Sequence, residues 1–227
     1  EFLGLVRGRL EGQPARPAWY PGATAAWESL TGGPAPADGS LPPLFRTGLD
    51  PAAEPRWLER EWFLPAAVEV PLAAGSVDAF CGAAGEFVRG LPGSLAASVT
   101  APASASAHDA RRVDLLVGHL AYGVVARNTW SALAYALANV PWGGFPGATL
   151  AEPASGIGRV HDPLLLPLVH NSIVTAPLAT LLPATWLPWH RRSARIARAA
   201  VDAYADIAAG RDCTWKMLRM VPDVLAG

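Results

Sequence analysis

The sequence predicts an α/β fold with a mainly parallel sheet and a helical extension at its C-terminus. Between residues 66 and 127, strand-like and helix-like stretches follow one another in the order strand, helix, strand, helix, strand. That order is typical of parallel sheets with right-handed crossover connections. A stretch with helical periodicity lies further along, at 191–209. Only 16% of the 227 residues are charged and 51% are hydrophobic, which favours a piece of a larger body or a tight oligomer over a free-standing monomer.

Residues 13–55 are rich in Pro, Gly and Ala, and they follow a short run of helical periodicity. Apolar residues at helical spacing predict a helix over 2–10 and a second, short helix over 23–30. The Gly-Gly-Pro and Pro-Pro steps within 31–43 predict a loop. A disordered linker over 32–42 is the alternative for this stretch.

The middle of the chain alternates between the two kinds of element. Apolar residues at every second position predict a strand over 66–70. Ser76 is a good N-cap for a helix whose apolar residues recur at helical spacing as far as Val88. A strand over 94–100 and a helix over 109–120 follow.

The stretch from Tyr122 to Gly158 carries most of the information on function. A short β-branched strand ends at Arg127, and Asn128 with the following Thr breaks its pattern as a strand-end turn does. A glycine-rich turn and large aromatic residues come next; the aromatics are Trp130, Tyr135, Trp142 and Phe145. Such a loop can wall an apolar pocket, or it can be a packed loop of the core.

Several kinds of site are excluded or disfavoured. His108 and His119 would lie roughly 16 Å apart along one helix, too far to share a metal ion, so no metal site is expected. Cys81 falls on the apolar face of its helix, the opposite of the electropositive surroundings that a nucleophilic thiol needs. No G-x-S-x-G elbow, P-loop or C-x-x-C motif occurs.

Charge and hydropathy restrict the partners. The formal net charge of −1 gives no electrostatic reason to expect nucleic acid or an anionic membrane as a partner. Apolar runs are far shorter than the ~20 residues that a membrane helix needs. Two widely separated cysteines do not make a disulfide framework, so we expect a cytoplasmic location. Because residue 1 is Glu rather than Met, we also expect the polypeptide to derive from a longer one.

Four short motifs follow one another along the chain. They are Glu61–Pro65, then Gly123, Val125 and Asn128, then Pro141–Phe145, then Ser155–Gly158. Their order resembles the C-terminal part of the aldehyde dehydrogenase superfamily, which has E-x-F-G-P before a strand, a strand of the form G-x-V-x-x-N, a P-F-G-G-aromatic turn and an S-G-x-G turn. Leu64 and Trp142 stand where the family usually has Gly and Phe.

The resemblance implies a fold and an assembly. Residues 1–176 would form a three-layer αβα body like the C-terminal domain of the family, with a late strand at about 171–176. In the family such a strand builds the subunit interface, so a homo-oligomer that pairs through this edge strand is expected. Residues 177–227 would be a C-terminal extension, helical at about 191–209.

The resemblance also implies a reaction, the oxidation of an aldehyde, for which this chain would supply only part of the active site. In the family a Cys attacks the aldehyde carbonyl, hydride passes to NAD or NADP, and a Glu activates water to release the carboxylic acid. The nucleophile, the base and the cofactor domain lie before the E-x-F-G-P motif. The chain would therefore hold no catalytic residue and would act with an N-terminal portion, present as another chain or fragment, on a small-molecule aldehyde.

The site residues that the resemblance implies are few. Glu61 would bind the ribose hydroxyls of the cofactor, and Phe63 would pack beside the nicotinamide. The substrate-binding residues would be Asn128, Trp130, Ser131 and Trp142. The alternative is a non-catalytic subunit or structural remnant of the same fold, which binds a partner chain without turnover.

Overall fold

The computed structural model describes residues 2–102, 105–137, 139–178, 185 and 190–225. Its helices are α1 (Phe2–Glu11), α2 (Ala23–Thr31), α3 (Val77–Arg89), α4 (Ala107–His119), α5 (Leu133–Ala136), α6 (Ser193–Ala208) and α7 (Thr214–Leu225). A 3₁₀ turn covers Pro55–Trp57. In this described part of the chain, no helix is both long and apolar enough to cross a bilayer.

The strands are short. They are β1 (Arg16–Pro17), β2 (Ser40–Leu41), β3 (Leu44–Arg46), β4 (Ala66–Val68), β5 (Ala96–Val99), β6 (Val124–Arg127), β7 (Trp142–Gly143), β8 (Arg159–His161) and β9 (Ser172–Thr175). The fold is mixed α/β, as the sequence predicts. The chain divides into two compact units, Glu1–Ala176 and Pro177–Gly227.

A three-stranded parallel sheet forms the centre of the first unit. Its strand order is β5-β6-β9, and β6 pairs in parallel with both neighbours. Val124, Val125 and Ala126 of β6 are completely buried. A continuous apolar run of this kind is typical of the central strand of a parallel sheet, because both of its faces are covered.

Helices α3 and α4 form where the sequence predicts them because their signals are local. The Ser76 hydroxyl accepts a hydrogen bond from Ala79 N, and the Ser106 hydroxyl accepts one from Asp109 N. These caps satisfy backbone groups that the first turn of a helix leaves unpaired. Val113 and Val117 of α4 pack on Val125 in one core cluster, so α4 covers one face of the sheet.

The expected single sheet is divided in the structure. Strand β4 pairs in parallel with β3, which lies in the Pro-rich N-terminal region, and not with β5. This pair has a core of its own, built on Leu30, Leu49 and Trp57. Leu44 of β3 and Ala66 and Val68 of β4 pack against this core. Each strand is only three residues long, so its apolar pattern is too short to predict which strand it pairs with.

The late strand predicted at 171–176 is observed as β9, at the edge of the three-stranded sheet. Its outer side pairs with no other strand in the part of the chain that the structure describes. Ile173 in the middle of β9 is exposed. An open edge with an exposed apolar residue is a ready template for pairing with another chain.

In the second unit, α6 and α7 form an antiparallel pair that is tied by ion pairs at both ends. Asp206 near the end of α6 accepts from Arg211 and Lys216. Asp223 near the end of α7 accepts from Arg192 and Arg195. Both carboxylates are buried, and the hydrogen bonds from their cationic partners offset the cost of burying the charge.

Because of these ion pairs, we expect the stability of the α6–α7 pair to decrease at acid pH. Hydrogen bonds from Lys216 and Arg211 lower the pKa of Asp206, and the hydrogen bond from Arg195 lowers the pKa of Asp223. A carboxyl with a lowered pKa in the folded state stabilises that state fully above the ordinary Asp pKa of about 3.9. The contribution is then lost as the pH falls through the lowered values. We expect helical circular dichroism to decline with acid in this range.

The matched variants make this prediction specific. The double substitution Asp206→Asn and Asp223→Asn should reduce the helical signal at neutral pH and flatten its dependence on acid. Asp202→Asn, on an exposed position of α6, should leave the acid transition unchanged. An acid transition that survives in the double variant would contradict the assignment.

Candidate functional site

The motifs that carry the resemblance meet through their glycines. A Cβ atom at Gly123 would lie 1.8 Å from the carbonyl oxygen of Gly143, much closer than any real contact. The same atom would lie 3.0 Å from the carbonyl carbon of Gly144. The strand that begins after Gly123 and the turn after Pro141 therefore pack backbone on backbone, which only glycine permits here.

The S-G-x-G turn joins the same contact from the other side. A Cβ at Gly143 would lie 2.4 Å from the carbonyl oxygen of Gly158, and one at Gly144 would lie 2.9 Å from that of Gly156. We call these five residues, Gly123, Gly143, Gly144, Gly156 and Gly158, the glycine junction. Three segments far apart in sequence thus converge at the amino end of β6.

Ser94 links the glycine junction to the start of β5. Its carbonyl oxygen accepts hydrogen bonds from Gly123 N at 2.8 Å and Phe145 N at 3.1 Å. Its own N–H donates to the Ser155 hydroxyl at 2.7 Å. Ser155 thereby satisfies a part-buried backbone group and fixes the S-G-x-G turn against the sheet.

Glu61 lines a surface cavity of ≈ 670 Å³ that Ser94 and Ser155 also line. The other residues that line this cavity include Trp57, Arg60 and Tyr122. The first motif and the last motif of the resemblance therefore line one cavity. This volume lies within the range of small-molecule and cofactor sites.

The groups around the cavity can bind a polar ligand. Glu61 is exposed, and none of the described residues donates a hydrogen bond to its carboxylate. Tyr122 donates its hydroxyl hydrogen to Val88 O at 3.2 Å, and burial raises the pKa of this phenol. Tyr122 is thus a neutral wall of the cavity, while Glu61 supplies a free acceptor for ligand hydroxyl groups.

Phe63 lines a different cavity. Its ring lies 4.8 Å from the ring of Tyr20, and both line a cavity of ≈ 790 Å³ with Arg16, Trp19 and Leu64. Phe63 has a φ of 52°, an unusual backbone conformation for a bulky residue. Phe63 and Glu61 therefore line two different cavities although they are two residues apart in sequence.

Asn128, Trp130 and Ser131 lie together at the carboxyl ends of β5 and β6. The Asn128 amide oxygen accepts a hydrogen bond from Ala101 N at 2.8 Å, and Ser131 N donates to the Ser98 hydroxyl at 3.2 Å. Trp130 is exposed. The carboxyl edge of a parallel sheet is where ligands usually bind in α/β folds, but the Asn128 amide oxygen is engaged within the fold.

Trp142 lies at the opposite end of the sheet. The preceding Pro141 accepts a hydrogen bond from Ser172, which begins β9. The Trp142 ring makes an edge-to-face contact with Tyr135 at 5.5 Å. Since β6 separates the two ends by about 13 Å, the structure does not bring Trp142 together with Asn128, Trp130 and Ser131.

In the described part of the chain, no cysteine lines the cavity that Glu61 lines. Burial raises the pKa of Cys81, which makes its thiol a poor nucleophile near neutral pH. Cys81 and Cys213 are both free thiols. Among the described residues, no group of His, Cys, Asp and Glu side chains could hold a metal ion.

Two residues of the site escape the sequence analysis. Ser94 shows no motif of its own, and only its position as the first residue of the strand predicted over 94–100 marks it. Tyr122 stands at the start of a predicted strand, and nothing in the sequence marks its ring as part of a cavity wall. Both become recognisable only when Ser155 and Glu61 are seen beside them.

In comparisons with known proteins, no family model matches the chain, and no curated protein or solved structure matches it at a significant level.

Proposed function

We propose that the chain is the C-terminal half of an NAD(P)-dependent aldehyde dehydrogenase-like oxidoreductase that converts an aldehyde to a carboxylic acid. The observation that carries the proposal is the convergence of Glu61 and Ser155 on one cavity, beside the glycine junction. Motifs that resemble one family in order along the chain thus also lie side by side in space. A chance resemblance would give no reason for that proximity.

Glu61 is the residue that we assign to the cofactor. A free carboxylate at a cavity wall can accept hydrogen bonds from the two hydroxyl groups of a ribose. Such charge-assisted bonds are stronger than neutral ones. The nicotinamide contact of Phe63 rests on the resemblance alone, because its ring lies in the other cavity with Tyr20.

The remaining parts of the enzyme divide between this chain and its N-terminal portion. The N-terminal portion would supply the nucleophilic Cys, the general base and the dinucleotide domain. This chain would supply the Glu61 cavity and, in the substrate funnel, Trp130 and Ser131 at the carboxyl edge of the sheet. Asn128 would shape that edge from within the fold, and Trp142 would contribute from the opposite end.

We also propose the finer features of the family fold. The body 1–176 would be a three-layer αβα arrangement, completed by elements of the N-terminal portion. Strand β9 would pair with another subunit, since its outer edge is open in the described part of the chain. The homo-oligomer would form through this edge.

Glu61→Gln in the enzyme assembled with its N-terminal portion tests the cofactor assignment. Loss of the charge weakens both ribose hydrogen bonds, and we expect the KM for NAD(P) to rise about tenfold or more. Steady-state kinetics with a series of aldehydes gives the measurement. Glu59→Gln is the matched control, since Glu59 is exposed and does not line the cavity.

The kinetic outcome separates binding from chemistry. A rise in KM for the cofactor with little change in kcat is expected, because Glu61 is assigned to binding and not to the reacting atoms. If oxidation of every aldehyde tried is the same in Glu61→Gln and wild type, the cofactor role is wrong.

A non-catalytic, partner-binding protein is the second candidate function. The favouring observation is the large number of exposed apolar side chains, with Trp19, Leu150 and Leu168 almost fully accessible. Intact mass and native mass of the same purified material distinguish the candidates. A second polypeptide with a reactive cysteine supports the enzyme, whereas a stable complex with a protein that lacks one supports the partner-binding subunit.

A further inference from the structure

The pair of helices α6 and α7 leaves an apolar stripe of each helix uncovered. On α6, Ala197, Val201, Tyr204 and Ala208 follow one another at helical spacing, and all are exposed. On α7 the exposed residues Trp215, Leu218, Val221 and Leu225 do the same. Val201 is 67% exposed, Tyr204 73%, Trp215 65% and Leu218 55%. Within the second unit, no described residue covers these stripes; Ile207 and Met217 are the other large apolar side chains that the two helices expose.

The stripes are not what holds the two helices together. The side of α6 that faces α7 carries the buried residues Ala203 and Asp206, and the facing side of α7 carries Asp223. The ion pairs of Asp206 and Asp223 lie on these facing sides. The apolar stripes are therefore available for a surface outside the pair.

The charge of this segment identifies the kind of surface. Residues 177–227 contain seven Lys or Arg and four Asp or Glu, a formal net charge of +3, whereas residues 1–176 carry −4. Two of the four acidic residues, Asp206 and Asp223, are buried against basic partners. Within the described part of the chain, Arg191 and Arg198 have no carboxylate partner. The formal net charge of −1, which gives no electrostatic reason to expect an anionic membrane, is the sum of these two opposite charges.

We propose that α6 and α7 bind the surface of an anionic membrane, with their apolar stripes in the headgroup region and their basic side chains against lipid phosphates. Helices with one apolar stripe that includes Trp and Leu, and with Arg or Lys on the other face, lie in the plane of the interface. The Arg219 guanidinium lies 5.4 Å from the Trp215 ring, so an aromatic anchor and a phosphate-binding group are adjacent. Trp is favoured at this depth because one end of its ring is apolar and the other polar.

A second copy of the chain fits this surface less well. Symmetric self-association brings the same patch of two copies together, so two segments of charge +3 would face each other. Like charges placed together oppose association, whereas anionic headgroups neutralise the same charge. The inference does not depend on Glu61 or on the proposed oxidoreductase activity.

Co-sedimentation with vesicles tests the proposal on the 227-residue chain. Vesicles of phosphatidylcholine alone are compared with vesicles of equal parts phosphatidylcholine and phosphatidylglycerol. We expect the chain to pellet with the anionic vesicles, to stay in solution with the neutral ones, and to be released by added salt. Absence from the anionic pellet, or equal binding to both vesicles at every salt concentration, would overturn the proposal.

Two pairs of variants assign the binding to α6 and α7. Val201→Ser with Leu218→Ser should lower the partition coefficient for anionic vesicles about tenfold, because apolar area is removed from the interface. Arg198→Gln with Arg219→Gln should lower it about tenfold through lost attraction to lipid. The control is Leu150→Ser with Leu164→Ser, two exposed leucines of the first unit, which should change nothing. An equal loss in the control would overturn the assignment.

Solution mass provides the competing outcome. If Val201→Ser with Leu218→Ser converts a dimer to monomers in light scattering, the stripes belong to a second copy and the membrane proposal is wrong. Circular dichroism of every variant shows whether the helices are retained. A variant that has lost helix is replaced by Val201→Thr with Leu218→Gln, for which the same partition loss is required.

Discussion

Replacing Gly123 with Ala should destabilise the first unit more than a Gly→Ala substitution at any of its other described glycines. The added Cβ would meet the carbonyl oxygen of Gly143 at 1.8 Å and its carbonyl carbon at 2.8 Å. Both are backbone atoms, so no side chain can rotate to relieve the contact. The turn must move away from β6, and we expect the free energy of unfolding in urea to fall by about 3 kcal/mol or more.

A glycine in open space gives the matched control. Gly82 lies inside α3, and a Cβ there would meet nothing within 4 Å. Ala is a better helix former than Gly, so Gly82→Ala should raise the free energy of unfolding by about 0.5–1 kcal/mol. Opposite signs for the same chemical change would place the effect in the glycine junction. If Gly123→Ala is as stable as wild type, the close packing of the two backbones is wrong.

The sequence predicts the elements of the first unit better than their arrangement. Helices α3 and α4 and the strands β5, β6 and β9 follow from caps and apolar periodicity, which are properties of a few neighbouring residues. Pairing between strands is not local. The chain therefore did not reveal that β4 pairs with β3, since β3 is only three residues long and follows two prolines.

The candidate site was predictable in part for the same reason. Glu61 and the glycines of the junction are identifiable from sequence, because they belong to motifs in which each position requires one type of residue. The motif did not reveal that Phe63 has a positive φ and lies against Tyr20, in a different cavity from Glu61. Whether two side chains two residues apart share a cavity depends on the backbone between them, and periodicity does not report that conformation.

The separation of the aromatic residues has a similar cause. Trp130 and Trp142 are both near the glycine-rich turn in sequence, so the sequence predicts one apolar wall that contains both. The chain passes from the carboxyl end of β6 back to the amino ends of β6 and β9 between them. Proximity in sequence is a poor guide to proximity in space when a connection runs the length of a sheet.

Asn128→Ala should destabilise the first unit through two effects at one position. The variant loses the amide oxygen that accepts from Ala101 N at 2.8 Å, which leaves a part-buried N–H without its partner. It also places Ala at a φ of 57°, where Asn is better tolerated. Together these should lower the free energy of unfolding in urea by about 2 kcal/mol.

Two further substitutions at Asn128 separate the hydrogen bond from the backbone conformation. Asn128→Asp keeps an acceptor oxygen and should lose little stability. Asn128→Gly tolerates the positive φ but lacks the acceptor, so its free energy of unfolding should lie between those of the Asp and Ala variants. A purely substrate-binding Asn128 would give the reverse pattern, with the stability of all three variants unchanged and binding of aldehyde altered. The Asn128 oxygen already accepts a hydrogen bond from Ala101 N. We therefore expect the stability of the variants to depend on whether they keep this acceptor and tolerate the positive φ. On this view Asn is required at the end of β6 for the structure of the turn.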